Sequence, residues 1–268
     1  MSVKNSFGKI LLAIFAVCWL AAPVFVFAQK KQIRVAAAAD LRTVMPEIAK
    51  AYETRSGTSV EVVYGSSGNF YAQIQNGAPL DVFFSADSEY PRKLEEAGFA
   101  EPQSAVIYGL GRIVLWMPAN ASCNPEGEGW KCLVNPDVRK IAIANPEHAP
   151  YGRAAVAALR KAGIYSEIRA KLVFGENISQ AAQFVESGNA QAAILAYSLI
   201  SLPGLRGGKK WEIPKATYPR IEQAAVVLKS SKDQISAQDF VKFVTKGQGR
   251  ELLAKFGFQP PSDHPSAQ

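Results

Sequence analysis

The chain has 268 residues, of which 48% are hydrophobic and 20% are charged, and its formal net charge is +7. This length and apolar content suffice for a substantial core in one domain or two lobes, which excludes an intrinsically disordered chain. The basic residues are scattered through the chain rather than gathered in a stripe, so we do not expect nucleic acid as a partner.

The first residues predict an export signal. Lys4 and Lys9 precede or flank an apolar run at 10–22, and the sequence at 26–28 supplies a small-residue cleavage site. A membrane anchor is the alternative, but a span normally needs ~20 apolar residues, more than this run contains. We therefore expect 1–28 to be a cleaved signal peptide and the mature protein to be soluble in the periplasm.

After the signal, buried strand patterns alternate with amphipathic helix patterns. Predicted strands lie at 33–37, 60–64, 81–85, 112–117, 140–144, 171–174, 192–197 and 224–228, and predicted helices at 41–54, 70–75, 89–97, 152–162, 179–187, 237–245 and 249–255. This order predicts an α/β protein with mostly parallel sheets flanked by helices, in which ligands bind beyond the carboxyl ends of strands.

The same pattern predicts two lobes, since no low-complexity linker or internal repeat divides the chain. We expect the chain to cross between lobes near 105–109 and 217–224. Lobe 1 would then comprise 29–107 and 218–268, and lobe 2 would comprise 108–217.

The cysteines support an oxidising compartment. Cys123 and Cys132 flank a polar loop that contains glycine, and such a pair in an exported protein predicts a local disulfide. The alternative, a zinc site, lacks further ligands nearby, because His148 and His264 are the only histidines. We therefore expect no bound metal cation.

Four turns follow predicted strands and open predicted helices, at 38–40, 64–68, 149–152 and 176–179. The first turn of a helix leaves backbone N–H groups unpaired, and the helix dipole favours negative charge there. Because the carboxyl ends of parallel strands share one edge of a sheet, these turns predict a receptor for a small oxyanion.

Several sequence segments are more specific than this pattern of turns. IRVAAAADL, VYGSSGNFYAQIQNGAPLDVFFSAD, IANPEHAPYGRAA, VESGNAQAAILAYSL and TYPRIEQAAVVL resemble, in order and spacing, the periplasmic molybdate-binding proteins of ABC transporters, over roughly 33–258. The resemblance implies a two-lobed type II periplasmic binding protein fold with the ligand in the interlobe cleft. It also implies capture of molybdate or tungstate, delivery to a membrane-embedded ABC permease, no further cofactor, and a monomer.

The resemblance also implies binding residues. The first turn places Asp40 where the family has serine, and the second places Ser67 at a serine position, with Ser66 beside it. Backbone donors fall on Tyr151 and Ile178. The family's tyrosine hydroxyl falls on Ala196, and Tyr197, one residue later, reaches the ligand only if the strand bulges.

Of the positions that differ from the family, Asp40 has the largest physical consequence. A carboxylate facing a dianion in a poorly solvated cleft would cost several kcal/mol. We therefore expect Asp40 to turn back and cap its own helix, accepting from the backbone N–H of Arg42 or Thr43.

Two other functions are open at this stage. A serine hydrolase would need Gly-x-Ser-x-Gly, and Asn69 stands where the last glycine belongs, so we do not expect an enzyme. A receptor for sulfate or phosphate on the same fold is the closer alternative, because hydrogen phosphate carries a proton that an acceptor such as Asp40 could bind.

Overall fold

The computed structural model describes residues 31–261 and arranges them in two α/β lobes, each built on a five-stranded sheet. The expected signal peptide at 1–28 and the end of the chain after 261 lie outside the described residues. Within 31–261, no helix combines the length and the apolar character needed to cross a membrane.

The elements follow the alternation of strand and helix that the sequence predicts. The strands are β1 (Gln32–Ala38), β2 (Ser59–Gly65), β3 (Val82–Ser85), β4 (Val106–Gly111), β5 (Ile113–Met117), β6 (Ile141–Ala144), β7 (Leu172–Gly175), β8 (Ala192–Ala196), β9 (Lys209–Glu212) and β10 (Ile221–Val227). The helices are α1 (Met45–Ser56), α2 (Ser67–Gln75), α3 (Glu89–Glu96), α4 (Pro125–Glu128), α5 (Lys131–Val134), α6 (Pro150–Lys161), α7 (Tyr165–Ile168), α8 (Ile178–Glu186), α9 (Gln234–Lys246) and α10 (Gln248–Lys255).

Each sheet has a parallel half and an antiparallel half. The first has the order β2-β1-β3-β10-β4, with β1 parallel to β2 and β3 and with β10 antiparallel to both of its neighbours. The second has the order β7-β6-β8-β5-β9, with β6 parallel to β7 and β8 and with β5 antiparallel to its neighbours. The carboxyl ends of the parallel strands in both sheets lead into the cleft.

Both faces of the first sheet are buried, which explains the nearly continuous apolar runs of its strands. Along β1, Val35 packs in the core under α1 and α9, while its neighbour Ala36 packs with Phe70 and Leu94 on the opposite face. The second sheet lies in a single larger core with α6 and α8. The two sheets are thereby rigid platforms for the loops at their ends.

The chain crosses between the sheets at Arg112, between β4 and β5, and returns between β9 and β10. The expected lobe boundary at 107/108 therefore falls inside β4, and the expected boundary at 217/218 falls within the returning segment. The described part of 29–107 and of 218–268 belongs to the first sheet's lobe, and most of 108–217 to the second.

Two strands, the three short helices α4, α5 and α7, and part of one longer helix differ from the prediction. The sequence indicates neither β4, which contains Gly109 and Gly111, nor β9, a short polar strand at the sheet edge. The helix expected at 41–54 is a 3-10 turn at Ala39–Thr43 followed by α1. Edge strands and turns of this kind depend on distant pairing rather than on local periodicity.

The disulfide between Cys123 and Cys132 is present, as predicted. Both cysteines are buried in the core of the second lobe, where the bridge joins the segment just before α4 to α5. The bridge therefore fixes a loop of the second lobe and lies apart from the cleft residues described below.

Candidate functional site

A small cavity lies between the two lobes, at the carboxyl ends of their parallel strands. Its empty space is about 200 Å³, part of it open to solvent, and it is lined by Ala38, Ala39, Asp40, Gly65, Ser66, Ser67, Ala86, Ala149, Pro150, Tyr151, Asn177 and Ile178. All four turns singled out in the sequence contribute to this lining. No Lys, Arg or His is among these residues, so any attraction for an anion must come from neutral donors and helix dipoles.

Three helices begin at the cavity, and local chemistry explains each start. The Ser66 hydroxyl oxygen accepts from Asn69 N–H (3.4 Å) ahead of α2, and Pro150 opens α6 at the position where a missing N–H costs nothing. Asn177 Oδ1 accepts from the N–H groups of the second and third residues of α8 (3.0 and 3.1 Å) and so caps this helix.

The backbone N–H groups of Ser67, Tyr151 and Ile178 lie in the first turns of these helices. Within 31–261 none of the three donates to a protein acceptor. First-turn amides have no partner inside their helix, so these groups are available to a ligand. Ser67 belongs to the first lobe and the other two residues to the second, so the cavity presents donors from both sides.

The Ser67 side chain is fully buried and oriented by the backbone. Its Oγ accepts a hydrogen bond from Ala86 N–H (2.9 Å), which occupies one lone pair and leaves the hydroxyl hydrogen free. A serine held in this way is a donor toward the cavity.

Asp40 does not cap its helix, contrary to the expectation. The 3-10 turn at Ala39–Thr43 has no side-chain cap, and Asp40 Oδ2 instead accepts from Tyr151 Oη (2.9 Å) and Gln223 Nε2 (2.8 Å). Two donors that are remote in sequence therefore orient the carboxyl group, while the neighbouring backbone N–H groups of Asp40 and Leu41 also lower its pKa. Its other oxygen, Oδ1, is buried and has no hydrogen-bond partner within 31–261.

Burial raises the pKa of Asp40 from 3.8 to about 7, and hydrogen bonds from Gln223 and Tyr151 offset part of that rise. The side chain is 0% exposed, so the charged form has lost nearly all of its hydration. At neutral pH the group is therefore poised between its carboxylic acid and its carboxylate.

Gln223 and Tyr108 complete this polar cluster, and sequence reasoning missed both. Tyr108 Oη donates to Gln223 Oε1 (2.5 Å), and Gln223 Nε2 also donates to Tyr151 Oη (2.7 Å). The register between β10 and β4 shifts immediately after Gln223, and such bulges commonly re-aim a side chain beside a site. In the sequence, the polar Gln223 directly before an apolar strand run was the one feature that could have indicated a buried polar residue at the site.

Tyr197 lies outside the cavity lining. β8 pairs regularly with β5 up to Ala196, so no bulge turns the next residue inward. The Tyr197 ring packs under the Arg112 guanidinium, 3.8 Å from Cζ to the ring centroid. Ser66 does line the cavity, but its Oγ lies 2.9 Å from His148 Nδ1 across the cleft.

The lobes are held in a closed arrangement. Direct hydrogen bonds across the cleft include Gly68 N–H to His148 O (2.8 Å), Asn69 Nδ2 to Glu176 Oε1 (2.6 Å), Ser179 Oγ to Ala39 O (2.9 Å) and Ser198 Oγ to Asp40 O (2.8 Å). Each bond joins an element of one sheet's lobe to an element of the other. The cavity is therefore complete only when the lobes meet.

Known proteins resemble the chain over most of its length. A family model described as bacterial extracellular solute-binding protein matches residues 33–259. The molybdate-binding protein ModA of Azotobacter vinelandii is 38% identical over 232 residues, covering 86% of this chain and 91% of the relative. ModA of Rhodobacter capsulatus is 36% identical over 227 residues, covering 85% of this chain and 88% of the relative.

Solved structures agree with the sequence relatives. The periplasmic molybdate-binding protein of Azotobacter vinelandii superposes with a TM-score of 0.80 at 33% identity, over 86% of this chain and 100% of that chain. The sulfate-binding protein SubI of Mycobacterium tuberculosis shares the fold, with a TM-score of 0.72 at 16% identity.

These likenesses confirm the type II binding protein fold and the resemblance to periplasmic molybdate-binding proteins. The relatives are solute-binding proteins, so the expectation of a binding protein rather than an enzyme is confirmed as well. With a family model that spans nearly all of the described residues, the chain belongs to the bacterial extracellular solute-binding protein family.

Proposed function

We propose that this protein captures molybdate or tungstate between its lobes and delivers the anion to an ABC permease. The observation that carries the proposal is the convergence of unpaired N–H groups from Ser67, Tyr151 and Ile178, together with the Ser67 hydroxyl, on one cavity without a basic side chain. Neutral donors of this kind suit a fully ionised tetrahedral dianion. The names of the two ModA relatives support molybdate as the ligand.

Binding would occur in two steps. One lobe meets the anion first, and closure then adds the donors of the other lobe and expels water, which strengthens each hydrogen bond. The bonds that cross the cleft, such as Asn69 to Glu176, support a closed form that is stable enough to hold the ligand.

The cellular setting belongs to the same proposal. We propose export through a cleaved signal peptide at 1–28, a periplasmic location, and action as a monomer that docks on a membrane permease and binds no nucleic acid. The buried disulfide between Cys123 and Cys132 supports an oxidising compartment. No cofactor beyond the transported oxyanion is part of this proposal.

Isothermal titration calorimetry of the mature protein tests the ligand. Molybdate, tungstate, sulfate and phosphate are titrated separately into protein that has been unfolded, dialysed and refolded to remove bound anion. We expect molybdate and tungstate to bind at one site at least tenfold more tightly than sulfate and phosphate, because the larger anions reach donors on both lobes. Absence of heat with molybdate and tungstate would refute the proposal.

Hydrogen phosphate is the second candidate, and Asp40 is the observation that favours it. An ionised Oδ1 without a partner could accept the proton that hydrogen phosphate keeps at neutral pH. In the same titrations, phosphate binding that exceeds molybdate binding would select this alternative.

A further inference from the structure

The unpartnered oxygen of Asp40 is the polar atom of the cavity that the donor set leaves unexplained. Asp40 lines the cavity, is 0% exposed, and its Oδ1 has no hydrogen-bond partner within 31–261. Buried polar atoms are normally satisfied, so an orphan at a ligand cavity indicates a group that pairs with the ligand. The remaining question is whether Oδ1 donates to that ligand or accepts from it.

The hydrogen bonds to the other carboxyl oxygen, Oδ2, indicate which oxygen of Asp40 would carry a proton. Oδ2 accepts from both Tyr151 Oη and Gln223 Nε2, and the Gln223 amide is oriented by Tyr108, which donates to its Oε1. With two donors already directed at Oδ2, a proton on the carboxyl group belongs on Oδ1. An Oδ1–H would then face the cavity as one more neutral donor.

Among residues 31–261 no charged side chain lowers the pKa of Asp40, although the backbone N–H groups of Asp40 and Leu41 lower it in part. The hydrogen bonds to its side chain come from neutral groups, and burial raises the pKa of Tyr151 and of Tyr108 well above their ordinary value of 10, so both phenols stay neutral. The Ser198 hydroxyl and the Ser179 hydroxyl contact the backbone of the same turn and do not titrate. His148 is the titratable group at the cavity edge, bonded to Ser66.

We propose that Asp40 binds the captured anion as a carboxylic acid, with a single proton held between Oδ1 and an anion oxygen. This inference rests on the proposed function. A carboxylate Oδ1 beside a dianion would be repelled at short range in a medium that screens poorly, whereas the acid donates a hydrogen bond to the same oxygen. The pKa of Asp40, raised to about 7 by burial, supports the assignment.

Closure of the lobes couples proton binding at Asp40 to binding of the anion. Asp40 and Gln223 belong to the first lobe, while Tyr151 comes from α6 of the second, so the fully buried environment forms only when the lobes meet. A fully ionised dianion brings no proton, so the carboxylate takes one from solvent as the cleft closes. Hydrogen phosphate carries the proton itself and would transfer it into the same position without net uptake.

Calorimetry in two buffers of different ionisation enthalpy counts this proton. Molybdate is titrated into the mature wild-type protein at about pH 8, above the pKa of about 7 that burial gives Asp40 without the anion. We expect uptake of one proton per anion, and an affinity that falls about tenfold for each pH unit between pH 7.5 and 9, as one coupled proton requires.

Asp40→Asn is the matched variant, because its side-chain amide keeps an acceptor for Tyr151 and Gln223 and places a permanent donor at the cavity. We expect no proton uptake, an affinity that is independent of pH over the same range, and binding at least tenfold tighter than that of the wild type at about pH 8. The wild-type proton count stands by itself if this variant does not fold.

The outcomes separate the inference from the proposed function. Tight molybdate binding by the wild type without proton uptake and without pH dependence overturns the inference and leaves the function intact. Phosphate binding without uptake, together with failure to bind molybdate, overturns both and assigns Asp40 as an acceptor. Uptake that persists unchanged in Asp40→Asn also overturns the inference, because another group must then bind the proton.

Discussion

Ser67 and Asp40 show how a single residue position sets the character of the cavity. The Ser67 hydroxyl is a fixed neutral donor because Ala86 N–H occupies one of its lone pairs. Asp40 offers either a donor or an acceptor, depending on its proton. The anion affinity of the site therefore depends on a few neutral hydrogen bonds rather than on formal charge.

Removing the Ser67 hydroxyl should weaken molybdate binding. We expect Ser67→Ala to lose ~1.5–3 kcal/mol of binding free energy, the range for a hydrogen bond to a charged partner, which is roughly 10- to 150-fold in Kd. Ser187→Ala is the control, because that hydroxyl bonds to Gln183 O on the exposed side of α8. Titration calorimetry gives both values, and an unchanged Kd for Ser67→Ala would remove its hydroxyl from the site.

Asp40 also marks the limit of prediction from sequence at this scale. Its position after a strand and before a helix favours a cap, and the actual partners, Tyr151 and Gln223, lie 111 and 183 residues away. A short-range rule could not anticipate donors that arrive only when both lobes have folded. The turns that hold Ser67, Tyr151 and Ile178 were easier to predict, because they follow from the helix starts, and the family resemblance then implied the individual residues.

Helix starts are the elements from which the site is built, and each one is fixed by a local device. Asn177 caps α8 through the N–H groups of Ser179 and Gln180, while Ser179 Oγ also reaches Ala39 O in the other lobe. The orientation of the free Ile178 N–H follows from this cap. Stability of the helix end and binding of the anion are therefore coupled in α8.

Loss of this cap should affect both properties. We expect Asn177→Ala to lower the free energy of unfolding by ~1 kcal/mol, as cap removal typically does, and to weaken molybdate binding several-fold because the Ile178 N–H loses its fixed direction. Asp233→Ala is matched to it, since Asp233 caps α9 through Ser236 N–H (3.0 Å) far from the cavity.

Urea unfolding and calorimetry on the two variants separate these effects. The control should lose similar stability with an unchanged Kd. Equal Kd values for Asn177→Ala and the wild type would contradict the assignment of α8 to the site.

The elements were predictable to the extent that their residues are buried on both faces of a sheet or on one face of a helix. β5 and β8 are continuous apolar runs, and β1 and β3 are apolar over most of their length, so the sequence indicates these strands directly. β9 has the pattern of an exposed polar segment and becomes a strand only by pairing with β5. The bulge after Gln223 likewise depends on β4, which itself was not expected.

At the scale of the whole molecule, function depends on an equilibrium between separated and closed lobes. The cleft bonds between Asn69 and Glu176 and between Gly68 and His148 form only in the closed arrangement. Other bonds across the cleft, such as Ser179 Oγ to Ala39 O and Ser198 Oγ to Asp40 O, are buried but join neutral groups, and a neutral hydrogen bond contributes less net free energy than one to a charged partner. A bound dianion that engages unpaired N–H groups of both lobes therefore has the larger influence on closure.

Gly68 provides a direct test of this arrangement. It lies in the first turn of α2, and a Cβ there would stand 2.7 Å from His148 O and 2.8 Å from Tyr90 Oη. His148 belongs to the opposite lobe, so the conflict with its carbonyl arises only on closure. Alanine also favours a helix over glycine by up to ~1 kcal/mol, which offsets the shift that the Tyr90 hydroxyl of the same lobe must make, so Gly68→Ala should leave the unliganded protein folded.

We expect Gly68→Ala to raise the Kd for molybdate at least tenfold and to reduce the compaction that molybdate causes, because the added methyl group holds the lobes apart. Small-angle X-ray scattering measures the radius of gyration with and without molybdate, and thermal unfolding checks the fold. Gly207→Ala is the control, since nothing lies within 4 Å of its added Cβ. If Gly68→Ala closes and binds as the wild type does, the liganded lobes cannot meet through Gly68 and His148. The donors of Tyr151 and Ile178 would then have to reach the anion in a different relative orientation of the lobes.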